Sequence, residues 1–191
     1  SPESGRSLSS IDVFFPVPHG TYGEDGSLQG LLELLDAAYV GAGVLGSAVG
    51  MDKDVMKRLL RDAGIAVAPF RVFTRASLTS KALKAAVLQL GFPIFVKPAN
   101  MGSSVGVHKA HDARELARAI KDAFQYDTKI LLEQQIEGRE IEISVLGNER
   151  PKASLPGEVM PTHEFYSYEA KYIDEKGAQM AIPANLPEEK I

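Results

Sequence analysis

Cysteine is absent from the 191-residue sequence, which excludes disulfide bonds, thiolate catalysis and metal sites with cysteine ligands. An excess of basic residues is absent too, because 21 lysines and arginines stand against 25 aspartates and glutamates. The net charge of −4 lacks the positive field that attracts duplex nucleic acid, so we expect no nucleic-acid partner. Any binding of phosphate must therefore depend on a local group of residues.

Long apolar runs are also missing. The longest uncharged stretch, residues 37 to 51, is shorter than the roughly 20 residues of a membrane-spanning helix, and glycines interrupt it. Residues 1–10 are polar and lack the apolar core of a secretory signal. We therefore expect no membrane partner. With 45% hydrophobic and 24% charged residues, the composition is that of a globular protein.

Short apolar segments alternate with amphipathic segments along most of the chain, which predicts an α/β fold. The predicted strands are residues 11–17, 38–40, 66–74, 94–96, 105–109 and 130–132, with the first buried on both faces. The predicted helices begin at the caps Ser27, Asp52 and Asp112 or cover residues 78–90, and two of them end at Gly64 and Gly91. The helix after Asp52 is expected to bury one apolar face, formed by Val55, Met56, Leu59, Leu60 and Ala63.

The pattern changes beyond residue 140. Ile141, Ile143 and Val145 alternate with polar residues, and a hairpin is predicted to turn at residues 147–148. Residues 156–177 are polar and rich in tyrosine, and a loop of this length is typically functional or disordered.

Both ends of the sequence indicate a partial chain. The first residue is not methionine, and residues 186–191 are typical of a first helical turn that does not continue. We therefore expect the sequence to belong to a longer protein.

Residues 41–46 match the G-x-G-x-x-G pattern of dinucleotide-binding folds. The acid that should hold a ribose about twenty residues later would be Asp62, which falls inside a predicted helix. We therefore interpret these glycines as a tight turn from a strand into a helix.

Several polar residues are candidates for phosphate binding. Residues 102–106, Gly-Ser-Ser-Val-Gly, lie between two predicted strands and could close over phosphates or form a plain hairpin. Lys97 ends an apolar strand and should be half buried, with either a phosphate or a carboxylate as its partner. Lys53 and Lys171 could bind phosphate or be solvated.

Other segments are candidates for nucleoside or substrate binding. The extended segment from Glu133 to Ile136 could offer backbone groups to an adenine edge, and Glu140 could bind ribose hydroxyls. His19 follows a predicted strand in a glycine-rich loop, where α/β folds often place functional side chains.

The order of these segments closely resembles that of the D-alanine–D-alanine ligase family within the ATP-grasp superfamily. The matching segments are residues 19–30, 51–53, 96–98, 102–106, 133, 138–140 and 166–172. Among ATP-grasp enzymes, the Gly-Glu-Asp-Gly block at residues 23–26 and the Glu-Ala-Lys-Tyr block at residues 169–172 are specific to this family. The resemblance extends from about Ile11 to the end of the sequence.

The resemblance implies an α/β fold of ATP-grasp type, present in part. Residues 1–46 would be the C-terminal part of an N-terminal substrate domain, residues 47–136 a central α+β subdomain, and residues 137–191 the beginning of a C-terminal domain with a lid loop at residues 156–177. The family's later segment, which supplies the Mg²⁺ ligands, has no counterpart here. We assign no metal ligand, and we expect the 191-residue chain alone not to complete catalysis.

The activity implied by the resemblance is the ATP-dependent ligation of two D-alanine molecules through an acyl phosphate, with Mg²⁺, for peptidoglycan synthesis in the bacterial cytoplasm. A homodimer is implied as well. The alternatives are another ATP-grasp carboxylate-amine ligase, a depsipeptide ligase that uses D-lactate, or a nucleotide-binding module without catalysis.

The resemblance also implies roles for individual residues. ATP would be bound by Lys53, Lys97, Ser104, Glu133, Gln134, Gln135, Ile136, Glu140 and Lys171. Both amino acids would be bound by His19, Glu24, Ser103 and Tyr172, with Ser103, Tyr172 and Lys171 as the catalytic residues. Tyr172 is expected to donate a hydrogen bond to Ser103 beside the acceptor.

Overall fold

The computed structural model describes residues 11–165, 167–174 and 176–187. It divides into two compact units at residues 135 and 136. This division lies next to the boundary that the sequence places at residue 136, whereas the boundary at residue 46 falls inside the first unit. The assignment of three domains stays a prediction, and residues 1–10 and 188–191, with their expected polar end and helical turn, lie outside the described residues.

The first unit contains a four-stranded antiparallel sheet and five helices. In chain order these are α1 (Ser27–Leu34), α2 (Val44–Met51), α3 (Lys53–Asp62), β1 (Phe70–Thr74), α4 (Ser80–Leu90), β2 (Ile94–Pro98), β3 (His108–Ala110), α5 (Ala113–Tyr126) and β4 (Lys129–Gln134). The strand order is β1-β4-β2-β3, so β4 lies between β1 and β2.

The two faces of this sheet differ in character because side chains alternate along each strand. One face packs against α4 and α5 and forms the core, which includes Ile94, Val96, Ile130 and Leu132. On the other face, Glu133 of β4 lies opposite Phe70 of β1 and Phe95 of β2, and Lys97 lies opposite Leu131. The second face therefore carries the charged residues.

Local capping signals fix the helix ends that the sequence predicts. The Asp52 carboxylate accepts hydrogen bonds from the N–H groups of Asp54 and Val55, and Asp112 caps α5 in the same way. Gly91 ends α4 with a positive φ of 68°. At α1 the prediction is wrong: Gly26, not Ser27, is the cap residue, and the Asp25 carboxylate accepts from the Ser27 N–H.

The first predicted strand is also wrong. Within residues 11–17 only Phe14 pairs with another strand residue, in a single bridge to Tyr39, and Phe15 and Val17 are exposed. Because the rest of the stretch forms no ladder within the described residues and most of its apolar side chains are exposed, it is not a core strand. The face predicted for the helix after Asp52 is only partly buried: Met56 and Leu60 are half-buried, whereas Val55, Leu59 and Ala63 are exposed, and the buried residue of α3 is Asp54.

The second unit contains two small antiparallel sheets. Its elements are β5 (Glu140–Glu142), β6 (Val145–Leu146), β7 (Lys152–Ala153), β8 (Gly157–Pro161), α6 (Tyr168–Tyr172) and β9 (Ala178–Ala181). Strands β6 and β7 form the predicted hairpin, and β8 is the middle strand of the sheet β5-β8-β9.

The loop predicted over residues 156–177 is therefore shorter than expected. Its beginning is strand β8, where Glu158 and Val159 are buried, and its interior contains the short helix α6. Pro156 and Gly157 stand at the start of β8 and Pro161 at its end, so they delimit a strand rather than mark a loop, and the connection between β8 and β9 begins at residue 162. No helix in the described part of the chain is long and apolar enough to cross a membrane.

Truncation of a side chain on the core face of the sheet should cause a large loss of stability. Leu132 has no exposed surface, so Leu132→Ala should lower the free energy of unfolding by about 2–5 kcal/mol through lost transfer energy and a cavity. Leu88→Ala is the control, because Leu88 is 89% exposed on α4 and its truncation should change stability by at most about 0.5 kcal/mol. Urea unfolding of both variants measures the difference, and equal losses would contradict the assignment of the core.

Candidate functional site

A buried carboxylate organises the charged face of the first sheet. Glu133 is 7% exposed and forms ion pairs with two lysines, at 2.6 Å from Oε1 to Lys97 Nζ and 2.7 Å from Oε2 to Lys57 Nζ. Burial alone would raise the pKa of Glu133, but the two ammonium groups outweigh it and hold the pKa below its usual value. Glu133 is therefore an anion that holds two cations at the surface of the sheet.

The two lysines are placed symmetrically about this acid. Lys97 Nζ lies 5.3 Å from the centroid of the Phe95 ring, and Lys57 Nζ lies 5.4 Å from that of Phe70. Both rings flank Glu133 on neighbouring strands. The aromatic faces favour the cations and restrict where they can lie.

Lys53 is the third cation of this region and lies at the first position of α3. Its Nζ donates to the carbonyl oxygens of Met101 at 2.5 Å and Ala99 at 3.4 Å. Burial and the nearby charge of Lys97 lower the pKa of Lys53 to about 8. We call Lys53, Lys57, Lys97 and Glu133 the lysine cluster.

A second ion pair fixes the start of α3 to strand β4. Lys129 Nζ lies 2.6 Å from Asp52 Oδ2 and 3.5 Å from Asp54 Oδ2. Burial favours a higher pKa for Asp52, but Lys129 and the helix N–H groups hold it below its usual value. Because Asp52 is also the helix cap, this pair fixes where α3 begins. It therefore also fixes the positions of Lys53 and Lys57 on that helix.

The serine loop, residues 102–106, has an unusual backbone. Ser103 and Ser104 both have positive φ, 52° and 60°, which non-glycine residues rarely adopt. Such strained residues cluster at functional sites. Gly106 also has a positive φ, and a Cβ there would lie 2.6 Å from Tyr126 Cδ2, so only glycine fits. The loop is a turn between β2 and β3 and shortens the strand predicted at residues 105–109.

The glycine-rich loop that contains His19 and Glu24 packs against the serine loop. The Gly20 N–H donates to Glu24 Oε2, and a Cβ on Gly102 would lie 2.9 Å from Gly20 Cα and 3.4 Å from that carboxylate oxygen. The Thr21 hydroxyl contacts Met101 Sδ at 3.3 Å. The structure thus brings Glu24 next to the loop that carries Ser103, as the residue roles predicted for them require, while the His19 side chain is exposed.

The proposed adenine segment has part of its hydrogen bonding already satisfied. The N–H groups of Gln134 and Gln135 donate to the carbonyl oxygens of Pro69 and Pro93. Gln135 Oε1, by contrast, is buried and accepts no hydrogen bond in the described part of the chain. Ile136 is 63% exposed. The unused acceptor fits a ligand that carries an N–H group.

In the second unit, Arg139 directly precedes strand β5 and is hydrogen-bonded to residues of other segments. Its guanidinium forms a bidentate pair with Glu158, at 2.7 Å and 2.5 Å, and donates to the Asn185 carbonyl at 2.8 Å. The hydrogen-bonded Arg139 lowers the pKa of Glu158. Glu140 itself is exposed, as a residue that binds a ribose would need to be.

Lys171 and Tyr172 lie on α6, inside the connection from residue 162 to 177. The Tyr172 and Tyr168 rings are 5.0 Å apart. The base of the connection is closed by the Thr162 N–H, which donates to the Gly177 carbonyl, and by a hydrogen bond at 2.8 Å between His163 Nε2 and Asp174 Oδ2. Tyr166 and the side chains of Glu169 and Ala170, which belong to the matching block, lie outside the described residues.

Two family models match this sequence, one described as D-ala D-ala ligase N-terminus over residues 1–42 and one as D-ala D-ala ligase C-terminus over residues 59–191. D-alanine–D-alanine ligase A of Chromobacterium violaceum is 59% identical over 95% of this chain and 50% of its own length. D-alanine–D-alanine ligase of Oceanobacillus iheyensis is 57% identical over 97% of this chain and 50% of its own length. The chain belongs to the D-alanine–D-alanine ligase family.

Solved structures agree with this assignment. The D-alanine-D-alanine ligase from Coxiella burnetii has a TM-score of 0.79 and 40% identity over 93% of this chain and 46% of that chain. The VanG D-Ala:D-Ser ligase from Enterococcus faecalis has a TM-score of 0.82 and 37% identity over 94% of this chain and 52% of that chain. The predicted family and the ATP-grasp type of α/β fold are confirmed, and the chain spans about half the length of these relatives.

For this ligase-family chain, the sequence analysis missed Lys57. A local signal was present, because Lys57 lies four residues after Lys53 and so shares a helix face with it. The apolar pattern of Val55 and Leu59 directed attention to a different face, which the structure shows to be exposed. The partner of Lys97, left open between a phosphate and a carboxylate, is Glu133 in the structure.

The contact between the two loops of this ligase-family chain predicts a specific effect of a methyl group. Gly102→Ala places a Cβ 2.9 Å from the Gly20 backbone, so one loop must move, with a loss of about 1–3 kcal/mol. Gly50→Ala on α2 is the matched control, since its Cβ would meet nothing within 4 Å and alanine favours a helix. Thermal unfolding and limited proteolysis near residue 20 measure the effect. If both variants behave alike, the loops do not pack as described.

Proposed function

We propose that this chain is part of an ATP-dependent ligase that joins two D-alanine molecules through an acyl phosphate. The observation that carries the proposal is the lysine cluster, in which Lys57 and Lys97 share one carboxylate, Glu133, as their ion-pair partner, while the Lys53 ammonium donates only to backbone carbonyls among the described residues. A polyphosphate would supply the missing negative charge. The 57–59% identity to proteins named D-alanine–D-alanine ligase supports D-alanine as the substrate.

In the proposed reaction, a carboxylate oxygen of the first D-alanine bonds to the γ-phosphorus of ATP as the bond to ADP breaks. The amine of the second D-alanine then attacks the acyl carbon, phosphate leaves, and the amine loses a proton. Such transfers need positioning and charge neutralisation more than covalent help from the protein. Lys53 and Lys97 would bind the α- and β-phosphates, and Ser104 with the backbone of the serine loop would cover them.

The remaining roles are also proposals. Glu133 through Ile136 would frame the adenine, for which Gln135 Oε1 is an unused acceptor, and Glu140 would bind the ribose. Lys171 would neutralise the γ-phosphate, while His19, Glu24, Ser103 and Tyr172 would hold the amino acids. The connection over residues 162–177 would be the lid that excludes water, which otherwise hydrolyses an acyl phosphate.

Mg²⁺ is proposed as the companion of ATP, since it normally neutralises the transferred phosphoryl group. No group of three or more histidines, aspartates or glutamates within residues 11–165, 167–174 and 176–187 could hold a metal ion. The described residues therefore do not fit a Mg²⁺ site, and no step is derived through one.

The cellular role follows from the same proposal. Joining two D-alanines would supply a precursor of peptidoglycan in the bacterial cytoplasm and so contribute to cell shape. We also propose a homodimer, for which the exposed leucines of α1, Leu31 and Leu34, offer an apolar surface.

A second candidate is a ligase with a different acceptor. The similarity to a D-Ala:D-Ser ligase supports it, although the identity of 37% is lower than the 57–59% to the D-alanine–D-alanine ligases. The acceptor is tested by supplying the full-length enzyme with ATP and D-alanine, alone or with D-serine or D-lactate, and identifying the products by mass. D-Alanyl-D-alanine as the main product is expected, and its absence would overturn the proposal.

Tyr172 provides a sharper test of acceptor choice. Tyr172→Phe keeps the ring that packs on Tyr168 but removes a hydroxyl, which is worth about 0.5–1.5 kcal/mol where it holds a partner. We expect the ratio of D-lactate ester to dipeptide to rise several-fold, most at low pH, where the competing amine is protonated. Tyr168→Phe is the control and should leave the ratio unchanged. Equal ratios for wild type and Tyr172→Phe would make Tyr172 a packing residue.

The low pKa of Lys53, about 8, predicts proton uptake when ATP binds. A bound phosphate would raise this pKa towards its usual value of about 10.4, so near pH 8.5 the complex should gain on the order of half a proton. Calorimetry in buffers of different ionisation enthalpy measures this uptake. It should vanish near pH 6.5, where Lys53 is already charged, and in Lys53→Met at either pH. Uptake that persists in Lys53→Met would assign the proton to another group.

The same lowered pKa determines how Lys53 affects folding. Between about pH 8 and the usual value of about 10.4, the folded protein binds fewer protons at Lys53 than the unfolded chain does. The contribution of Lys53 to the free energy of unfolding therefore rises with pH through that window. Burial of the charged form is thus unfavourable at neutral pH, as expected for a group that a bound anion would stabilise.

A further inference from the structure

Lys57 is a buried cation that the proposed reaction does not use. Its side chain is 12% exposed, and its Nζ lies 2.7 Å from Glu133 Oε2 and 5.4 Å from the centroid of the Phe70 ring. It follows Lys53 by one turn of α3. An almost fully buried lysine is costly unless its charge has a purpose or a partner.

The two oxygens of Glu133 are divided between two lysines with different surroundings. Oε1 holds Lys97, whose side chain is 24% exposed, and Oε2 holds the more deeply buried Lys57. Only Lys97 is among the residues expected to bind phosphate. Lys57 is therefore the more buried partner of the acid, and Lys97 is the partner with more surface open to a ligand.

We propose that Lys57 is a positioning residue of the nucleotide site, which acts through Glu133 to keep Lys97 available to the phosphates of ATP. The inference rests on the function proposed above. Lys57 does not itself contact the nucleotide.

The charges explain how this would work. Glu133 with both lysines carries a net charge of +1, whereas Glu133 with Lys97 alone is neutral. With Lys57 present, the carboxylate is shared, so it neutralises Lys97 incompletely. When Lys97 turns to a phosphate, Glu133 keeps Lys57 as its partner and is not left as an unpaired buried charge, which would be strongly unfavourable. Without Lys57, Glu133 would have no partner once Lys97 turns to a phosphate.

The test uses the full-length enzyme with the substitution Lys57→Met, which keeps the length of the apolar stem but removes the charge. We expect the Kd and the KM for ATP to rise about ten-fold, within the range of coupling in a shared ion-pair network. The KM for D-alanine and kcat should stay within about two-fold, since Lys57 acts on ATP binding only. Calorimetry with ATP and steady-state kinetics give the four values.

Arg58→Met is the matched control. Arg58 is the next residue of α3, its side chain is 58% exposed, and its partner is Asp54 rather than Glu133. It removes the same charge from the same helix, so we expect an unchanged Kd for ATP. A rise equal to that of Lys57→Met would mean that net charge alone determines affinity and would overturn the proposal.

The route through Glu133 is tested by a double-mutant cycle. In a Glu133→Gln background, Lys57→Met should change the Kd for ATP less than about two-fold, because the acid through which it acts is gone. A ten-fold effect in both backgrounds would overturn the proposal. Thermal unfolding of each single variant and of the double variant checks that all three are folded before their affinities are compared.

Lys57→Arg gives the conservative comparison and should keep the Kd for ATP within about three-fold, because the cation is retained.

A wild-type affinity in Lys57→Met, with the wild-type enzyme binding ATP and forming dipeptide, would overturn only the role of Lys57. A wild-type enzyme that binds ATP but forms no dipeptide would overturn the proposed ligation, while the binding measurements would still decide the role of Lys57. A wild-type enzyme that binds no ATP would overturn both.

Discussion

The buried carboxylate of Glu133 is the constraint on which the charged face of the first unit depends. An acid in this position must be compensated: the neighbouring strand β2 contributes Lys97, and α3 contributes Lys57, whose Nζ lies over the Phe70 ring of β1. The resulting contacts hold a helix and two strands together through one side chain. Removing Glu133 alone would leave two largely buried cations without their acid, which is strongly unfavourable.

A second ion pair, Asp52–Lys129, accounts for the position of Lys53, and the nearby Lys97 contributes to its low pKa. The Asp52–Lys129 pair fixes the start of α3, and the Lys53 N–H donates to the Ala99 carbonyl at 3.0 Å. Its ammonium group is then held by backbone carbonyls, which provide dipoles but no full negative charge. Close to Lys97 and partly buried, the cation is incompletely compensated, and this explains its low pKa. Asp52 therefore has two effects: it caps α3, and it fixes the position of the Lys53 cation that is proposed to bind phosphate.

Features with a local physical cause could be predicted from the sequence, and features that depend on distant partners could not. Asp112 and Gly91 determine helix ends through neighbouring N–H groups and a positive φ, so the sequence alone sufficed. A strand, by contrast, needs a neighbour, and residues 11–17 have only the bridge at Phe14. The pairing of Lys57 with Glu133 joins residues far apart in sequence, and no short pattern reports it. The family resemblance supplied the candidate site residues, but not the contacts between them.

The two units hold their predicted site residues by different means. Lys53 and Lys97 are bound by backbone carbonyls or a buried acid on a packed sheet, an arrangement that fixes groups before a ligand binds. Lys171 and Tyr172 lie on the short helix α6, within a connection whose described closing contacts lie at its base, at Thr162–Gly177 and His163–Asp174. An anchored base and a short helix are what a lid requires, because the lid must open for substrates and close against water. Under the proposed function, binding of the α- and β-phosphates by Lys53 and Lys97 would depend on rigid contacts, whereas the contributions of Lys171 and Tyr172 would depend on closure of the lid.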